Sequence, residues 1–82
     1  MNIPAVSGKK LVDCLVKKFN FKIIRQKGSH VILDHYDGRV VVVPCHGNKD
    51  LSKGLLIKII KKEIKISLAD FVKVFCLLFM IQ

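Results

Sequence analysis

The segment FKIIRQKGSHVILDHYDGRVVVVP, residues 21–44, decides the fold. It holds three short runs with β character: Phe21 to Gln26, His30 to His35 and Arg39 to Val43. Lys27-Gly28-Ser29 is expected to connect the first pair and Tyr36-Asp37-Gly38 the second, Asp-Gly being a strong turn signal. The consecutive valines Val40 to Val43 are β-branched residues that suit a buried sheet. Pro44 cannot donate to a ladder and is expected to end the third strand. Three strands in succession with short connections predict an antiparallel meander.

The flanks read as helices. Leu11, Val12, Leu15, Val16 and Phe19 fall on one stripe, with Lys9, Lys10, Asp13, Lys17 and Lys18 opposite. Ser7 is an N-cap and Asn20 a stop. After the polar loop Cys45 to Asp50, a second amphipathic helix begins near Ser52. Its apolar side carries Leu55, Leu56, Ile59, Ile60 and Glu63-Ile64, and Lys58, Lys61, Lys62 and Lys65 face out. Ser67, with Asp70 three positions on, caps a third helix lined by Leu68, Phe71, Val72, Phe75 and Phe79. The expected architecture is α+β: two layers in α-β-β-β-α order, helices on one face of a three-stranded antiparallel sheet, and an extra C-terminal helix. The 82 residues make a single domain with room for a shallow surface site rather than an enclosed one.

Fifteen Lys+Arg against six Asp+Glu give a formal charge of +9, which favours polyanionic partners. Nucleic acid, an anionic membrane surface and an acidic protein all qualify on charge alone. Cys14, Cys45 and Cys76 are widely spaced with no Cys-x-x-Cys pair, a poor framework for disulfides or zinc. They read as reduced thiols of a cytoplasmic protein, Cys14 and Cys76 as small core residues. No secretory signal is visible, and the longest apolar run, Val74 to Ile81, is far short of the ~18 residues that span a bilayer. That run is apolar all round and is expected to bury further surface, a homodimer through this tail being one way to do so.

The chemistry concentrates at Gln26-Lys27-Gly28-Ser29-His30. Imidazole can take or give a proton near neutral pH. Gly28 lets a ligand approach the backbone, Ser29 offers a hydroxyl, and Arg25 and Lys27 supply cations. Metal-free RNA cleavage needs a base for the 2′-hydroxyl and cations for the charge growing on the phosphate. Spacing alone leaves His30 open between that base and a surface residue beside a hairpin. His46, in the polar loop with Lys49, fits a leaving-group acid, a phosphate contact or an exposed loop residue. His35 reads as a surface residue beside the turn. Neither a Walker loop nor a dinucleotide fingerprint is present, no paired carboxylates stand out, and no metal or cofactor is expected.

In order, Ser7-Gly8-Lys9, Phe21 with Arg25-Gln26-Lys27-Gly28-Ser29-His30, Asp37-Gly38-Arg39, Val43-Pro44 with His46 and Lys49, and Lys53-Gly54-Leu55 resemble the HicA (YcfA-type) toxins. Ile66-Ser67-Leu68 with Phe71 resembles the usual family end, so the likeness covers about residues 7–72. It implies a fold similar to the double-stranded RNA-binding domain and an mRNA interferase, a metal-independent endoribonuclease acting on single-stranded mRNA and held inactive by a HicB-type antitoxin. The family's catalytic histidine falls on His30, with Gly28 and Ser29 as positioning residues of the same motif. Arg25, Lys27, Lys49 and Lys53 are the expected RNA contacts. Leu55 departs from the threonine many relatives carry, and the apolar end Val74 to Ile81 exceeds the family pattern. The rival readings are a non-catalytic RNA-binding module and a basic protein-interaction domain.

Overall fold

The computed structural model describes residues 2–80. The elements run α1 (Gly8–Lys18), β1 (Phe21–Lys27), β2 (His30–His35), β3 (Val40–Pro44), α2 (Lys53–Lys58), a π-helical continuation over Ile59–Ile64, and α3 (Leu68–Phe79). The sheet is antiparallel in the order β1-β2-β3. This is the α+β arrangement expected from the sequence.

Each helix starts on a serine. The hydroxyls of Ser7, Ser52 and Ser67 accept from the N–H groups of Lys10, Leu55 and Asp70 at 3.2, 3.3 and 3.0 Å. Each satisfies a backbone donor that the helix cannot, a contribution of about 1 kcal/mol per cap. Asn20 turns the chain out of α1 with φ 62°.

On the sheet, Val31, Leu33, His35, Val41 and Val43 point to one face and are buried. α1 and the α2–π segment cover that face, contributing Leu11, Leu15, Leu56, Ile59, Ile60 and Ile64 to the core. α3 packs against α1 and the π segment rather than on the sheet. Phe71 and Phe75 fill that junction, their ring centroids 5.6 Å apart, and Phe71 stacks on Phe19 at 6.5 Å. Leu77 and Met80 remain exposed. Ile81, the last residue of the apolar run, lies outside the described residues. Among the described residues no helix is long and apolar enough to cross a membrane.

Several local expectations change. The first hairpin connection is two residues, Gly28-Ser29, because Lys27 still pairs with His30. Pro44 belongs to β3 and pairs with His30. β3 bonds only to β2, so a residue facing the open edge loses nothing by lacking an N–H. Arg39 stays out of β3. It donates through its backbone and Nε to Asp37 and through Nη1 to the Ile64 carbonyl, capping the end of the π segment. The second helix is α only to Lys58, then widens to π winding and closes on Lys65 at φ 60°.

His35 is a core residue, 9% exposed, rather than a surface one. Its ring lies 5.1 Å from Phe21 and 4.3 Å from Tyr36 by centroid, and Nδ1 accepts the Asp37 N–H at 3.2 Å. All three cysteines are free. Cys14 is fully buried, which pushes its thiol up to about 11 and makes it an inert core side chain. Cys76 is only half-buried, on the less covered side of α3.

Candidate active site

The strand that carries the cations is bulged. Ile23 pairs with Leu33 and Arg25 with Ile32, so Ile24 is an extra residue with no partner of its own. The parity set by buried Phe21 would turn Arg25 and Lys27 toward the helices. The bulge reverses it, because directly opposed residues share a face. Arg25 therefore joins Ile32 and Val42, and Lys27 joins His30 and Pro44, on the face turned away from the helices. Sequence reading found these cations without finding why they face His30. The consecutive Ile23-Ile24, which break polar–apolar alternation in a half-exposed strand, are the signal for it.

Lys27, His30 and Pro44 form the last rank of the three-stranded sheet. The turn beneath it has Gly28 at its first central position with φ 60°, the arrangement of a two-residue II′ hairpin. Its role is first to make the turn, which fixes where His30 starts β2. Gln26 Nε2 donates to the Gly28 carbonyl at 3.1 Å, bracing the turn from the strand. His30 is exposed and enters no ion pair with any described residue, so its imidazole is open to a ligand. Ser29 is half-buried, and its carbonyl accepts the Cys45 N–H at 2.6 Å.

That bond ties the hairpin to the loop carrying His46. The His46 carbonyl accepts the Lys49 N–H at 3.0 Å, closing a tight turn. A cleft of about 370 Å³ opens here, lined by Pro44, His46, Lys49, Asp50, Leu51, Ser52 and Leu55. His30 is not in its lining, but Pro44 belongs to both the His30 rank and the cleft. Lys53 opens α2 next to the cleft and is exposed. The expected residues thus collect at one end of the sheet in two adjoining parts, with Arg25 one rank further in.

Gly8 holds the same end from below. A β-carbon there would lie 2.1 Å from the Pro44 carbonyl oxygen, so only glycine lets α1 start this close to β3. The Ser7-Gly8 pair therefore caps a helix and seats it against the strand end beside His30.

Cys45 offers no competing nucleophile. Burial first, then the Asp13 charge, pushes its thiol up, and Sγ lies 3.7 Å from the Val43 carbonyl. His35 lies at the opposite end of β2. Among the described residues, no three His, Cys, Asp or Glu side chains come together in a way that could hold a metal.

A family model described as HicA toxin of bacterial toxin–antitoxin matches residues 8–66. The chain belongs to the HicA toxin family. No curated protein matches it. As a HicA family member it is the toxin of a toxin–antitoxin system and has an antitoxin as its partner. The match runs from Gly8, seated on Pro44, to Ile66, just past the π segment. It contains the hairpin, the cleft and every candidate site residue, whereas α3 lies beyond it.

Proposed function

We propose that this HicA toxin is an mRNA interferase that cleaves single-stranded RNA, with His30 as general base. The observation that carries the reading is the rank Lys27–His30–Pro44: an exposed, unpaired imidazole with a lysine opposite it on one open sheet face. Neutral His30 takes the proton of a 2′-hydroxyl, and that oxygen attacks the adjacent phosphorus. The bond to the 5′-oxygen breaks, leaving a 2′,3′-cyclic phosphate on one fragment. The departing 5′-oxygen takes a proton from His46 or water and becomes a 5′-hydroxyl. Lys27 and Arg25 stabilise the charge on the phosphorane, where one well-placed donor is worth about 3–4 kcal/mol. Lys49 and Lys53 track the neighbouring phosphates.

A HicB-type antitoxin is the inhibitor in this reading. The face around His30 is uncovered, with Ile24, Val40 and Val42 exposed among cations, which suits an acidic partner that buries it. Expression in a host cell tests the function. Growth arrest by the wild-type chain, relieved by His30→Ala at equal protein level, is the expected result. Arrest that persists in His30→Ala overturns the assignment of His30, and RNA that stays intact during arrest overturns the ribonuclease reading.

A further inference from the structure

The geometry points to a second element of the site: the cleft beside His30 is a base-reading pocket that selects guanine next to the scissile phosphate. This deepens, and rests on, the ribonuclease reading above. The cleft has an apolar floor of Pro44, Leu51 and Leu55 and a polar rim of His46, Lys49 and Asp50. At about 370 Å³ it admits a single nucleotide base rather than a duplex. Apolar walls with a few convergent polar groups are what a small-ligand site requires, and single-stranded RNA is read through bases splayed into such sites. Pro44 is common to the cleft and the His30 rank, so a base bound here adjoins the phosphate at His30.

Asp50 chooses the base. The chain has six acidic residues against fifteen basic ones, and this one lines the cleft beside Lys49. Asp50 enters no ion pair with any described residue. A free carboxylate here weakens attraction for phosphate, a cost that N–H donors from a ligand offset. Among the four RNA bases, only guanine presents two adjacent donors, N1–H and the exocyclic amine, which match the two oxygens of a carboxylate. The position is also built in advance. Asp50 bridges to Ser7, and the Leu51 N–H donates to the Val6 carbonyl at 2.8 Å, so little ordering remains to be done on binding. The Ser52 hydroxyl accepts the Leu55 N–H, and Asp50 is the one carboxylate among the residues that line the cleft.

The test uses the full chain, isotopically labelled, titrated separately with guanosine, inosine and adenosine monophosphates while amide shifts are followed. Cut sites on a mixed-sequence single-stranded RNA are mapped in parallel. Guanosine monophosphate is expected to shift the amides of residues 49–55. Inosine monophosphate, which lacks the exocyclic amine, should bind about tenfold more weakly. Asp50→Asn keeps the backbone bonds that fold the loop, verified by an unchanged thermal melt, and should erase both that difference and guanine enrichment at cut sites. Equal binding of guanosine and adenosine monophosphates, or an Asp50→Asn cut pattern identical to wild type, overturns the proposal. Guanine-selective binding without RNA cleavage would leave the pocket standing and remove the ribonuclease reading. Cleavage without guanine preference would do the reverse.

Discussion

Lys27 stands directly opposite His30 on the last rung of the β1–β2 ladder, and the bulge at Ile24 turns Lys27 to the sheet face away from the helices, where the alternation of β2 already places His30. Neighbouring Gln26 pairs with Val31 and points to the other face. This alternation makes a sharp contrast. Lys27→Ala should lower kcat for RNA cleavage by about 10²–10³-fold if its ammonium meets the phosphorane. Gln26→Ala should leave kcat within a few-fold of wild type, since it removes only a brace on the turn. Single-turnover rates on one oligonucleotide check both.

Gly28 carries the turn with φ 60°, and a β-carbon there would have nothing within 4 Å. The cost of Gly28→Val is therefore backbone strain rather than a clash, about 1–3 kcal/mol. Urea unfolding should show a lower midpoint with an unchanged slope. Because the turn sets the start of β2, cleavage should fall by more than the lost stability explains.

Gly8→Ala acts by the opposite mechanism. The added methyl meets the Pro44 carbonyl, and α1 or the end of β3 must shift. Overpacking of this kind costs about 1–3 kcal/mol. Since Pro44 borders both His30 and the cleft, the variant should lose RNA affinity as well as stability, measurable by unfolding and by binding at low salt.

At the far end of the sheet the Arg39 guanidinium, hydrogen-bonded to the Asp37 carboxylate, holds that carboxyl below its ordinary value of 3.8. A depressed carboxyl binds fewer protons in the folded state, so it stabilises above its unfolded value and loses that contribution as pH falls through the folded one. Asp37→Asn has no such contribution to lose. Its stability should decline less steeply than wild type as the pH is taken below 3.8, in urea titrations across that range.

Much of the fold was legible because it is written in local chemistry. Serines before apolar periods mark the three helix starts, and Gly28 and Asp37-Gly38 mark the turns. What was not legible depends on partners distant in sequence. Pro44 fits in β3 because that strand is an edge, and His35 is buried because Phe21 and Asp37 close over it. Arg39 meets the Ile64 carbonyl across 25 positions. The π winding after Lys58 differs from α by one residue per hydrogen bond, too little for an apolar pattern to register. For the candidate site, sequence supplied His30 and its cations. The cleft joining Pro44 to Leu55, and the place of Asp50 in it, emerge only when the chain returns from β3 to α2.

The most direct measurement is cleavage of single-stranded RNA by wild type and His30→Ala in the presence of EDTA. His30 is exposed and the substitution should leave stability unchanged. Wild type is expected to cut under chelation and to leave 2′,3′-cyclic phosphate ends, with the variant slower by about 10²–10⁴-fold. Undiminished cleavage by His30→Ala would contradict the account.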